Sequence, residues 1–159
     1  SAVLPRWRSP RAVGGGGWGG WAAGWGAVRG GGPGRRGVVR PGVGPDDVLP
    51  GRLGGADIVA YPSCGEGFGL PVREAMACGA TVLTTDRLAL PEVGGDAVAY
   101  AKSPDVADVA DALSQLLADL GAREALGAAA VTRAATFSWL ETARRHRDVY
   151  ESLMKRTRS

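Results

Sequence analysis

The sequence predicts an α/β fold: short strands alternate with helices, and a run of helices closes the chain. Three observations carry that reading. Asp57-Ile58-Val59-Ala60-Tyr61 is a β-branched and aromatic run bounded by Pro62 and Ser63, the pattern of a short buried strand. A loop with glycine at 65, 67 and 69 then leads into good helix formers from Arg73 to Cys78, and a second β-branched strand follows at Thr81 to Thr84. From Ser103 onward, three helix-periodic segments fill the rest of the chain.

At 159 residues this is one domain at most, and composition divides it near residue 35. Residues 1–35 read as an irregular or disordered segment. They hold Gly14 to Gly17, Gly19, Gly20 and Gly30 to Gly32, with Trp7, Trp18, Trp21 and Trp25 between them. No period of 2 or 3.6 is sustained, and ordering so much glycine is entropically costly. Three readings stay open. Arg and Trp could serve a nucleic-acid-binding tail, gripping phosphates and stacking on bases. The stretch could be a disordered or poorly packed extension. It could also be missing strands read in the wrong frame, since Gly, Arg, Pro, Ala and Trp are what GC-rich codons give out of frame. The basic charge belongs to this end. Residues 1–45 contain seven Arg and no acid, whereas the remainder carries twelve Lys and Arg against sixteen Asp and Glu, a formal −4.

The second unit, residues 36–159, reads element by element. Val38 and Val39 suggest a strand. Asp46 to Gly54 suggests a weak helix interrupted by Pro50. After the strand at 57–61, a helix should start at Pro71, whose missing N–H is not needed there, and stop at Gly79. Leu90 to Gly95 reads as a turn or one helical turn, and Ala97 to Tyr100 as a short strand. Ser103 should cap the next helix, with Pro104 first and an apolar stripe of Val106, Val109, Ala110, Leu113, Leu116, Leu117 and Leu120, ended by Gly121. An alanine-rich helix should span about Arg123 to Ala135. A capping box, Ser138-Trp139-Leu140-Glu141, should open the last helix, with Leu140, Ala143, Tyr150 and Leu153 as its stripe. These stripes are expected in the core, not at a cofactor site. His146, the only histidine, falls near the last stripe with nothing to pair it, so a structural place is expected. Arg144, Arg145 and Arg147 read as a solvated face, with contact to an anionic membrane surface as the alternative.

The loop Pro62-Ser63-Cys64-Gly65-Glu66-Gly67-Phe68-Gly69-Leu70-Pro71-Val72-Arg73-Glu74 is the candidate site. Glycine at every second position lets the backbone approach a ligand closely. No Ser, Thr, Asp or Asn stands immediately before Pro71, so first-turn N–H groups lack a side-chain cap. Uncapped N–H groups and the helix dipole together favour an anion, and a diphosphate held by backbone from Phe68 through Gly69, Leu70 and Pro71 to Val72 is expected. Glu74 lies about one turn into the helix, where a carboxylate would repel phosphate but can accept from a ribose diol. Glu66, before the helix, can accept from sugar hydroxyls or face positive charge developing at an anomeric carbon. The alternative is a plain helix start with two surface glutamates. The ligand this loop points to is both anionic and hydroxyl-rich, such as a nucleotide-sugar.

Glu66-Gly-Phe-Gly-Leu-Pro-Val-Arg-Glu74-Ala-Met-Ala-Cys-Gly79 resembles the hallmark loop of group 1 (family 4) glycosyltransferases of the GT-B fold: Glu, seven residues, Glu. Pro45 to Pro50, Gly55 to Asp57, Thr81 to Thr85, Leu90 to Ala97 and Phe137-Ser138-Trp139 extend the resemblance over about residues 36 to 153. It implies a Rossmann-like parallel sheet, the C-terminal donor-binding half of a GT-B fold, with its first strands missing or degraded. The nucleotide base would lie near Gly42 to Pro45. By the same likeness, Glu66 is the catalytic residue contacting the transferred sugar, and Glu74 binds the donor ribose. Amides of Gly67, Phe68, Gly69 and Leu70 bind sugar and diphosphate. The activity implied is transfer of a sugar from a nucleoside-diphosphate sugar, GDP- or UDP-linked, to an acceptor with retention. The type is mannosyltransferase-like, with no cofactor and no tightly held metal. One departure stands out. Neither the Arg nor the Lys that neutralises diphosphate in the family is placed in this sequence, and Lys102 and Lys155, the only lysines, both follow the loop.

The family's N-terminal domain supplies the acceptor site. These residues do not contain it, so a further domain or a partner chain is the expected partner, and this piece alone should transfer little sugar. Ser1 rather than Met at the start fits a fragment or a processed chain. The acceptor, whether a glycan, a lipid-linked sugar or a small molecule, is left open. No nucleic-acid partner is expected. A non-catalytic nucleotide-sugar-binding module or partner subunit is the alternative function, and nucleic-acid binding through the basic segment a weaker one. Mean hydropathy is −0.04, no run of 18 apolar residues exists and no signal peptide is read at the start. Cys64 and Cys78 read as reduced thiols. A cytoplasmic location is expected, with peripheral contact at the inner membrane surface as its variant.

Overall fold

The computed structural model describes residues 12–14, 26–31, 35–39 and 46–156. Among the described residues six strands form one sheet: β1 (Ala12–Gly14), β2 (Gly26–Gly31), β3 (Arg35–Val39), β4 (Ile58–Tyr61), β5 (Val82–Thr85) and β6 (Ala99–Ala101). Their order is β3-β2-β1-β4-β5-β6. The strands β1, β4, β5 and β6 run parallel, in the register Val13 beside Val59, Val59 beside Val82 and Leu83 beside Ala99. The α/β class and its Rossmann-like parallel sheet are therefore present.

The edge formed by β2 and β3 differs from a fully parallel sheet. Both β1–β2 and β2–β3 pair antiparallel. Only residues 32–34 separate β2 from β3, and a connection that short cannot carry the crossover a parallel neighbour needs. β1 and β2 lie inside the 1–35 segment for which the sequence shows no sustained period. Apart from Arg35, which opens β3, the rest of that segment, and the base-contacting stretch expected at Gly42 to Pro45, lie outside the described residues.

The described residues also form the α-helices α1 (Leu49–Gly54), α2 (Leu70–Ala77), α3 (Leu90–Gly94), α4 (Val106–Ala118), α5 (Leu120–Ala134) and α6 (Trp139–Arg156). Strand alternation sorts the core into two faces. Val59 and Val82 face Leu53 of α1, Val72, Ala75 and Met76 of α2, Leu90 and Val93 of α3, and Ala130 and Ala134 of α5. On the other face, Ile58, Leu83 and Ala101 meet Leu116 of α4, with Val109, Ala112 and Leu113 against them. Each fully buried Leu, Ile or Val contributes roughly 1.5–3 kcal/mol of transfer free energy.

Several boundaries and faces depart from the sequence reading. Pro50 lies in the first turn of α1, as its second residue, and does not interrupt the helix, which follows a 3-10 turn at Asp46–Val48. Gly121 does not end α4. It lies in the first turn of α5, because the Asp119 carboxylate accepts from the Ala122 amide at 2.8 Å and caps a new helix there. The α4 stripe is narrower than expected, with Val106, Leu117 and Leu120 exposed. The larger correction is α6. Its expected core stripe is exposed: Leu140 is 61% accessible, Tyr150 and Leu153 are also exposed, and no residue of the helix is buried. Periodicity identifies an apolar face but not what covers it. The capping box is there in half: Ser138 Oγ accepts from the Glu141 amide at 3.1 Å, while the Glu141 carboxylate pairs with Arg145.

Candidate functional site

The candidate site sits at the carboxyl ends of β4 and β5, where parallel α/β sheets place ligands. Tyr61 is the last residue of β4. Its hydroxyl donates to Glu66 Oε1, and Ser63 Oγ donates to the same oxygen at 3.1 Å. The frame beneath comes from β5. Thr84 Oγ1 donates to the Tyr61 carbonyl at 2.8 Å, and Thr85 Oγ1 donates to the Ser63 carbonyl. Both threonines are fully buried, so their hydroxyls need these acceptors. Burial, then the hydrogen bond to Glu66 and its charge, push the Tyr61 phenol up to about 12. It is thus a neutral donor at ordinary pH.

Beyond Glu66 the chain runs out to the helix. A Cβ on Gly67 would meet nothing within 4 Å. Phe68, 40% exposed, stands edge-on to Phe137 with ring centroids 5.7 Å apart. Phe137 is held in turn: Arg73 Nη2 donates to its carbonyl at 2.9 Å, and the Arg133 guanidinium lies 5.6 Å from its ring centroid. Arg133 Nε also donates to the Val93 carbonyl at 3.1 Å, tying α5 to α3.

Gly69 is the N-cap of α2, with φ 91° and ψ 46°, and no side chain caps the helix. A Cβ there would lie 2.8 Å from Leu90 Cδ2, a side-chain tip that would have to shift, and the left-handed backbone is what calls for glycine. Leu70, not Pro71, is the first helical residue. Pro71 at the second position still falls among groups with no intrahelical partner. The first intrahelical bond is Arg73 N–H to the Gly69 carbonyl at 3.2 Å. The amides of Leu70 and Val72 precede it at the positive end of the dipole. The side chains of Pro71 and Val72 are buried, which leaves only backbone of these two residues for a ligand. Gly79, with φ 74°, ends the helix as expected, and the Ala80 amide reaches back to the Ala75 carbonyl at 3.1 Å.

Glu74 is half-buried on the next turn of α2. Burial raises its pKa, against the opposing pull of Arg73. Burial, and then the Glu74 charge, raise the Cys78 thiol as well. Cys64 and Cys78 are both free.

The expected site residues thus form one stretch: Glu66, Gly67 and Phe68 in the loop, Gly69 at the cap, Leu70 to Val72 in the first turn and Glu74 in the second. In the sequence, Tyr61 reads only as the last residue of a strand and Ser63 only as part of its boundary. The available signal was a tyrosine hydroxyl at a half-buried strand end, which must find an acceptor, and Glu66 three residues beyond Ser63. His146 lies on exposed α6, with Nδ1 2.8 Å from the Thr142 carbonyl and its ring against Tyr150. Arg145 pairs with Glu141 at 2.9 Å and Arg147 with Asp148 at 3.1 Å, all exposed. Among the described residues no group of three or more His, Cys, Asp or Glu is placed to hold a metal ion, and no helix is long and apolar enough to cross a membrane.

The chain is 42% identical over 95 residues to the O-antigen chain mannosyltransferase B of Escherichia coli, covering 60% of this chain and 25% of that one. It is 41% identical over 111 residues to the D-inositol 3-phosphate glycosyltransferase of Corynebacterium jeikeium (strain K411), covering 69% and 26%. It is 37% identical over 110 residues to the serotype-specific mannosyltransferase WbdA of Escherichia coli, covering 69% and 14%. The chain therefore spans about a quarter, or less, of the length of these relatives. The family described as Glycosyl transferases group 1 matches residues 38–133, a span holding the β4–β5 strand ends, the glycine loop and both glutamates. This chain belongs to the group 1 glycosyltransferases.

Proposed function

We propose that this chain is the donor-binding part of a glycosyltransferase that moves a sugar from a nucleoside-diphosphate sugar to an acceptor. The observation that carries the reading is the uncapped start of α2, opened by left-handed Gly69 and flanked by Glu66 and Glu74. The amides of Leu70 and Val72 and the helix dipole receive the diphosphate. Glu74 accepts from the ribose diol, and the free edge of Glu66 faces the transferred sugar. When the bond between the anomeric carbon and the phosphate oxygen breaks, its electron pair leaves with the diphosphate. The acceptor hydroxyl forms the new bond to carbon and gives up its proton. The helix N-terminus favours the charge gathering on the leaving group, and the Glu66 carboxylate favours positive charge at the anomeric carbon. Retention, no required cofactor and a mannose-type donor follow the family likeness and the names of the relatives. The acceptor site belongs to residues beyond these, in a further domain or a partner chain, as the fraction of the relatives' length covered here suggests.

The test is calorimetry of the whole chain with GDP-mannose and UDP-glucose. One of them should bind at a single site. Glu74→Ala should weaken that binding at least tenfold, about 1.4 kcal/mol, with the far-UV circular dichroism unchanged. A folded chain that binds neither donor at millimolar concentration refutes the reading. Binding with no turnover, even when an acceptor domain is supplied, would favour a non-catalytic nucleotide-sugar-binding module.

A further inference from the structure

Glu66 sits between Gly65 and Gly67, neither of which offers a side chain to pack against it. A carboxylate on such a loop would rotate freely about its last torsion and would lose that freedom on meeting a ligand. The structure supplies a different restraint. Tyr61 Oη and Ser63 Oγ both donate to Oε1. Among the described residues Oε2 accepts no hydrogen bond. The two donors are themselves fixed, because the carbonyls of Tyr61 and Ser63 take the hydroxyls of Thr84 and Thr85 on the neighbouring strand. The chain of bonds runs from the sheet to one carboxylate oxygen.

Resting on the donor-binding reading above, we infer that Tyr61 and Ser63 are positioning residues. They clamp Oε1 of Glu66 so that Oε2 is held ready for the hydroxyls of the transferred sugar. Burial and the adjacent carboxylate keep the Tyr61 phenol protonated at every pH where the chain would work, so it remains a donor. A pre-oriented acceptor spares the ordering cost at binding. The clamp acts on the sugar end of the donor, while the diphosphate is held by amides of α2 that neither residue touches.

That separation defines the measurement. The ratio of the Kd for GDP-mannose to the Kd for GDP, and likewise for UDP-glucose and UDP, isolates the contribution of the sugar. In Tyr61→Phe and Ser63→Ala together, the ratio should rise about fivefold while the Kd for the nucleoside diphosphate alone stays within twofold. Ser63→Thr, which keeps a hydroxyl, should restore most of the single Ser63→Ala effect. A merely structural role would weaken both ligands together, and that result overturns the inference. An unchanged ratio in the double variant, with Glu66→Ala still altering it, also overturns the inference and leaves the donor reading standing. Wild-type chain that binds no nucleotide or nucleotide-sugar removes both. If the double variant unfolds, Tyr61→Phe alone, which keeps the packed ring, carries the comparison.

Discussion

At the scale of single residues, the glycines around Glu66 separate what folding needs from what a ligand needs. Gly69 is fixed by folding. Its φ is 91°, and a Cβ would press on Leu90. Gly69→Ala should cost about 1–3 kcal/mol, read as a fall in the urea midpoint. Gly67 has no such reason: its φ is not positive and a Cβ would point into open space. Gly67→Ala should leave the midpoint unchanged, yet weaken GDP-mannose or UDP-glucose if a ligand must come close there. Equal affinity in Gly67→Ala would remove that amide from the proposed site. Glu74 gives a pH signature. Its folded pKa is raised by burial, so the unfolded chain ionises first as pH rises. The folded state is then penalised through the window from the ordinary glutamate range up to the raised value. Glu74→Gln should match wild type in thermal stability at low pH and gain on it by pH 7, while losing donor affinity. A wild type that stays level with Glu74→Gln across that range would mean the carboxylate is solvated. These residues were legible in the sequence because the loop is contiguous: cap, glycines and both acids lie within one short stretch. Tyr61 and Ser63 escaped because a hydrogen bond from a strand end to a loop leaves no periodic trace.

At the scale of elements, α5 was read correctly as an alanine-rich helix, and its small residues have a reason that composition does not reveal. Gly127, Ala130 and Ala134 are its buried positions, and a Cβ on Gly127 would stand 2.8 Å from the Gly79 carbonyl oxygen. That oxygen belongs to the backbone just past α2, so it cannot swing aside as a side-chain tip would. The close approach brings α5 against the end of the same helix whose start forms the site. Gly127→Ala should therefore destabilise by about 1–3 kcal/mol, although alanine has the higher helix propensity. A stabilised Gly127→Ala in chemical denaturation would show that the two elements stand further apart. The boundary between α4 and α5 turns on a side-chain cap. Gly121 looks like a stop, but Asp119 two residues earlier is a better start signal, and the side-chain bond decides between them.

At the scale of the whole molecule, the strands β4, β5 and β6 and the helices between and after them were legible because β-branched runs and helix-periodic stripes alternate along the sequence, whereas β1 and β2 fall where no period is sustained. The stripe of α6 looked the same in sequence, and the structure leaves it in solvent. Leu140 and Val149 are both exposed, while Leu83 is fully buried between β4, β6 and α4. Burial, not periodicity, sets the cost of a truncation. Leu83→Ala should lose about 2–5 kcal/mol, and Leu140→Ala and Val149→Ala should each change stability by no more than about 0.5 kcal/mol. Urea unfolding of the three variants, at dilute protein concentration, makes the comparison. Family residues 38–133 end within α5, so the matched core contains the site, the sheet's parallel strands from β4 and, among the described residues, the largest fully buried side chains, but none of α6. A chain shortened before Ser138 should then retain its cooperative transition and its donor affinity. Loss of cooperativity in that shortened chain, or a Leu140→Ala cost approaching that of Leu83→Ala, would place α6 in the folding unit.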